Sequence, residues 1–74
     1  MGTRVTDPRK PIGYAVKRQR LKLGMTQEEL AEAADLHWTY ISGIERGVRN
    51  VSIVNLFNIA TALKVRVRDL VKDF

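Results

Sequence analysis

The 74-residue sequence predicts an all-α fold, a compact domain of five helices. Apolar residues recur at spacings of three and four along several stretches, and helix-start and helix-stop residues bracket those stretches. No run alternates apolar and polar residues over the length of a strand. A chain this short makes one domain with a single small core, since it buries only about 60% of the surface its unfolded form exposes. With no cysteine and one histidine, a disulfide framework and a structural zinc site both lack their ligands, so no metal or cofactor is expected. That composition fits a reducing cytoplasm. No apolar stretch approaches the roughly 18 residues of a membrane helix, and no membrane partner is expected.

The elements follow in order. Residues 1–11 contain Asp7-Pro8 and Lys10-Pro11, and because proline pushes the preceding residue out of the helical region, this segment reads as a flexible basic arm. The domain proper is then expected over residues 12–74. Helix 1 runs from Ile12 to Leu23, with Ile12, Ala15, Val16 and Leu23 apolar among Lys17, Arg18, Arg20 and Lys22, and Gly24 as its stop. Thr26 with Glu29 three residues on forms a capping box, so helix 2 starts at Gln27. Leu30, Ala31 and Ala34 are its inward positions, and Asp35 interrupts it with a side chain that tolerates the left-handed conformation of a sharp turn.

Helix 3 is expected from about His37 to Arg46, with Gly47 after it. At 100° per residue His37, Ile41 and Ile44 share a packed side, while Trp38, Thr39, Ser42, Gly43 and Arg46 face away. Ser52 caps helix 4, whose inward stripe reads Ile53, Leu56, Ile59, Ala60 and Leu63. A last short helix from about Val67 supplies Leu70 and Val71.

Thirteen Lys and Arg against eight Asp and Glu leave a formal charge of +5, unevenly placed. Arg4 to Lys22 holds seven bases and one acid, whereas Glu28 to Asp35 holds four acids and no base. A basic face of this kind attracts polyanions. Helices 2 and 3, joined by a tight turn, have the form of a helix-turn-helix unit, in which the second helix enters the major groove of DNA while packing from behind holds it there. Leu30, Ala31, Leu36, Ile41 and Ile44 are placed to do that holding.

Three motifs in combination, VKRQRLKLGMTQEELA, YISGIERG and a capped apolar helix, resemble the Cro/CI-type (XRE-like) helix-turn-helix family, over Val16 to Leu70. The stretch LHWTYISGIERGVRNVSIVNL is also similar to the controller proteins of restriction-modification systems. The resemblance implies a lambda-repressor-like five-helix domain acting as a homodimeric regulator on an inverted-repeat operator in double-stranded DNA, with RNA polymerase as a candidate further partner. It implies that Trp38, Thr39, Ser42 and Arg46 contact bases, that Gln27, Tyr40, Arg49 and Asn50 contact phosphates, and that Arg20 and Glu45 form a structural ion pair. The controller pattern has a polar or basic residue where this chain has Trp38, so readout there differs in kind. Lys64 and Arg66 replace the usual Gly and Ser or Thr around the last helix, which is expected to loosen it slightly.

Val54 and Phe57 project from a second face of helix 4, and with Val71 and Phe74 they are the expected dimer surface. Catalysis is not expected. Nucleophilic catalysis needs a base beside Ser or Thr, whereas the lone imidazole, His37, points to the packed side or caps helix 3, and neither a phosphate-cradling glycine loop nor metal-ligand spacing occurs. The competing readings are an antitoxin-like protein-interaction module on the same fold and a non-specific architectural DNA binder. With no second domain in the sequence, regulation is expected to come from protein concentration and operator cooperativity.

Overall fold

Residues 7–72 are described by this structure, a computed structural model, and every regular element among them is a helix. In chain order these are α1 (Arg9–Lys22), α2 (Gln27–Ala34), α3 (Trp38–Glu45), α4 (Ile53–Ala62) and α5 (Val67–Val71). α1 packs on α3 and α5, α2 on α3 and α4, and α4 on α5. Val16, Leu30, Ile41, Ile44, Ile59, Leu63 and Leu70 are fully buried where they meet. Burying such a side chain stabilises by about 1.5–3 kcal/mol relative to leaving it exposed. That term decides the fold, because α2 and α3 have only eight residues each and helices so short do not persist alone in water.

α1 begins at Arg9, not at Ile12, which moves the boundary between arm and domain toward the N-terminus. The proline rule misleads here for a physical reason. Pro11 stands in the first turn, where a backbone N–H has no partner to lose. Lys10, the residue before it, is held helical against Gly47, where a Cβ would come within 3.1 Å of the Lys10 Cα. Asp7 anchors the start: its carboxylate accepts from the Arg9 N–H at 3.0 Å and pairs with the guanidinium at 2.6 Å. The Arg9 side chain and, secondarily, its backbone N–H hold the exposed Asp7 carboxyl down at about 2. The rest of the expected arm, residues 1–6, lies outside the described residues.

α2 starts as expected, with Glu29 N–H donating to Thr26 Oγ1 at 3.0 Å and Thr26 N–H donating to the Glu29 carboxylate at 2.7 Å. Four helices then end in one way, with a left-handed residue whose successor donates back to a carbonyl five residues earlier. The closing bonds are Met25 to Arg20 at 3.1 Å, Leu36 to Ala31 at 2.8 Å, Val48 to Gly43 at 3.0 Å and Val65 to Ala60 at 3.0 Å. The left-handed residues are Gly24 and Gly47, but also Asp35 at φ 58° and Lys64 at φ 61°. For a residue with a Cβ that conformation costs about 1 kcal/mol. Lys64 is exposed and gives nothing visible in return. Lys64→Gly is therefore expected to stabilise the fold by about 1 kcal/mol and raise the melting temperature by roughly 4–8 °C. A melt that stays put or falls would show that no strain is stored there. At α5 the side chain of Arg66 makes no cap, and the Asp69 carboxylate supplies half of one by accepting from the Arg66 N–H at 2.9 Å.

Candidate nucleic-acid interface

The turn between α2 and α3 consists of Asp35, Leu36 and His37. Asp35 makes the left-handed bend and Leu36 tucks against the core. His37 is extended, at φ −74° and ψ 141°, and caps α3: its Nδ1 accepts from the Thr39 N–H at 3.2 Å and lies 2.7 Å from Thr39 Oγ1. The residue is exposed, so of its two expected places, on the packed side or capping α3, it takes the second. A cap residue precedes the helix, so a 100° projection does not apply to it.

Ile41 and Ile44 do face the core. Trp38, Thr39 and Arg46 face solvent, and Ser42 is half-buried beside them. Arg46 follows the last helical residue, and its Nε lies 3.4 Å from the Ser42 carbonyl. Gly43, expected to face outward with this set, is buried instead, because the methylenes of Arg49 lie across it. A Cβ at Gly43 would stand 2.5 Å from Arg49 Cγ.

The same arginine carries its guanidinium over the Tyr40 ring, 5.6 Å from the centroid. Tyr40 is half-buried, and its hydroxyl stands 3.4 Å from the Asn50 carbonyl, the Ser52 N–H and the Asn55 side-chain amide. Each of these bonds is long and so individually weak. Together they tie α3, the loop after it and the start of α4 into one unit, with Arg49 and Asn50 exposed at its rim. Nothing in the sequence pattern marks this arrangement, since its partners lie up to 15 residues apart.

Behind the reading helix lies a buried ionic cluster. Arg20 Nε and Nη2 donate to the two oxygens of Glu45 at 2.7 and 2.9 Å, and Nη1 donates to the Met25 carbonyl at 2.8 Å. Side-chain exposure is 9% for Arg20 and 2% for Glu45. The carboxylate raises the guanidinium pKa still further above its ordinary value. Gln27, at the start of α2, donates its amide to Glu45 at 3.0 Å. The residue is thereby fixed to the cluster that orients α3.

On the far side, Ile53, Val54 and Phe57 are 65%, 66% and 56% exposed. Ile53 was expected in the inward stripe, and it joins the outer patch instead, while Leu56, Ile59, Ala60 and Leu63 do face inward. Val71 is half-buried against the core of its own chain, and Phe74 lies outside the described residues. A small cleft of about 70 Å³ between the start of α1 and the loop after α3 is lined by Pro8, Arg9, Ile12, Ile44, Arg49, Asn50 and Val51. Among the described residues no three His, Cys, Asp or Glu side chains converge as metal ligands would, and no helix is long and apolar enough to cross a membrane.

A short helix held from behind by two others, with an aromatic and polar outer face ending in arginine, defines a helix-turn-helix domain of the kind that enters DNA grooves. The chain belongs to the helix-turn-helix family HTH_3, which matches residues 16–70, and stands among the DNA-binding transcriptional regulators of that family. It is 53% identical over 64 residues to control protein C.BamHI of Bacillus amyloliquefaciens, covering 85% of this chain and 78% of that one. Its fold is similar to that of the restriction-modification controller protein C.AhdI from Aeromonas hydrophila, with a TM-score of 0.82 and 39% identity over 89% of this chain and 98% of the other. The clp gene regulator ClgR from Corynebacterium glutamicum is similar too, with a TM-score of 0.84 and 35% identity over 89% of this chain and 86% of its own.

Proposed function

We propose that this protein is a controller protein of a restriction-modification system, a cytoplasmic homodimer that binds an inverted-repeat operator at a promoter and sets transcription by occupying it. The observation that carries the reading is the outer face of α3, where Trp38, Thr39 and Arg46 stand clear of the core on a helix whose other side is locked by Ile41, Ile44 and Glu45. The 53% identity to a control protein supports the choice of subfamily.

In this reading α3 lies in the major groove. Arg46 takes a guanine edge, the one base edge that matches a planar guanidinium in two places. Thr39 and Ser42 add single hydrogen bonds. Gln27 at the start of α2 meets a phosphate, where free N–H groups and the helix dipole favour an anion. Arg49 and Asn50 hold the phosphates at the other end, with the Arg49 guanidinium already placed over Tyr40. Tyr40 acts through that loop and contributes a backbone contact. Two subunits related by a dyad put their reading helices about 34 Å apart, one turn of the duplex. A regulator seated at a promoter is also placed to touch RNA polymerase.

Selection from random duplexes, followed by footprinting across salt concentrations, tests this. An inverted repeat should emerge and be preferred over random DNA by ~10³ or more. Recovery of no repeat, with all binding gone near physiological salt, would leave a non-specific binder or a protein-interaction module. Arg46→Ala should lower operator affinity by about 1–3 kcal/mol and abolish discrimination at one or two base pairs of each half-site. If the variant weakens binding equally to all sequences, Arg46 touches phosphate and the base assignment is wrong.

A further inference from the structure

We infer that Trp38 reads the 5-methyl group of a pyrimidine, so that the operator carries a thymine beneath each indole and 5-methylcytosine serves there where cytosine does not. The inference rests on α3 being the helix that enters the groove.

Trp38 is the first residue of α3 and remains 47% exposed. It is not among the apolar side chains that pack against the core. Its ring stacks on the imidazole of His37, with centroids 6.4 Å apart and planes inclined by 24°. His37 in turn is pinned by Thr39, through the backbone N–H at 3.2 Å and the hydroxyl at 2.7 Å. The indole therefore has a backing ring that is tied to the helix start.

An indole carries a single N–H donor and no acceptor, so it cannot make the paired hydrogen bonds by which Arg or Asn distinguish bases. What it offers is a flat apolar surface. In the major groove the one apolar feature of a base edge is the methyl group on pyrimidine C5, present in thymine and 5-methylcytosine and absent from cytosine and uracil. Burying one methyl group is worth a factor of about four in affinity per half-site, and about fifteen for both half-sites of a dimer. A regulator built this way accepts thymine or 5-methylcytosine at that position and discriminates against cytosine and uracil.

The test uses the full chain and the operator recovered by selection. Each thymine is replaced by deoxyuridine in symmetric pairs, and affinity is read by fluorescence anisotropy. One pair should weaken binding by about tenfold or more, while the others change it by less than about twofold. At that position a C·G pair should bind less well than the same pair carrying 5-methylcytosine. Trp38→Ala should bind the thymine operator more weakly and no longer distinguish it from the uracil one, with an unchanged thermal melt. A wild-type protein indifferent to uracil at every position overturns the inference, as does a Trp38→Ala variant that keeps the thymine preference. Failure to recover any operator instead removes the DNA-regulator reading on which the inference stands.

Discussion

Glu45→Ala is expected to cost about 3–5 kcal/mol, enough to bring a domain of this size to the edge of unfolding at 37 °C. Among the described residues the carboxylate is the only acid bonded to the buried guanidinium of Arg20, and it also accepts from Gln27. Truncation leaves a charge that retains one bond, to the Met25 carbonyl, in a site only 9% exposed. The larger part of the loss is that stranded charge, not the net value of the ion pair. The melting temperature should fall by roughly 15–30 °C for such a change in a domain of under 100 residues.

The control is the pair replacement Arg20→Met with Glu45→Leu. Apolar residues of similar volume remove both charges together, and such replacements are commonly neutral or stabilising. The double variant should therefore recover most of the lost stability while losing operator affinity, because Gln27 is released and α3 loses its angular lock to α1 and α2. A Glu45→Ala variant that melts within about 4 °C of the parent, the equivalent of under 1 kcal/mol, would mean that water reaches Arg20 and the cluster is not what holds the reading helix.

How much of this was legible in the sequence depends on how far apart the interacting parts lie. The capping box at Thr26 and Glu29 spans three residues and could be read directly, as could the buried face of α2 and, Ile53 apart, that of α4. The start of α1 could not. Local rules about proline missed that Asp7 would serve as an outside cap and that Gly47 would receive Lys10. Ile53 failed differently. An angular projection says which direction a side chain points but not how far along the axis it is covered, and Ile53, the first residue of α4, is left 65% exposed. Arg20 and Glu45, 25 residues apart, bear no local mark as partners, and only the family resemblance pairs them. The tie between Tyr40, Arg49, Asn50 and Asn55 had no signal of either kind.

Phe57→Asp is expected to convert the proposed dimer into monomers and to lower operator affinity at least a hundredfold. Ile53, Val54 and Phe57 leave three large apolar side chains of one helix end more than half exposed, an unusual concentration for a small charged domain. On a two-fold axis the same patch meets itself, so one substitution places two carboxylates in the interface, each needing water that the interface excludes. Without the partner, the second half-site is no longer bound at the millimolar effective concentration that linkage provides, and the two binding events become independent. The fold itself should survive, since Phe57 contributes nothing to the buried core and Thr61, whose hydroxyl donates to the Phe57 carbonyl at 2.9 Å, needs only the backbone. Sedimentation measures the first effect and anisotropy the second, with Leu21→Asp as the comparison, an exposed apolar residue on α1, far along the chain from the patch. Monomers from both variants would point to general destabilisation, and a persistent dimer in Phe57→Asp would place the interface elsewhere. Dimer loss in Phe57→Asp alone, with half-site binding retained, ties the spacing of the two reading helices to this face of α4.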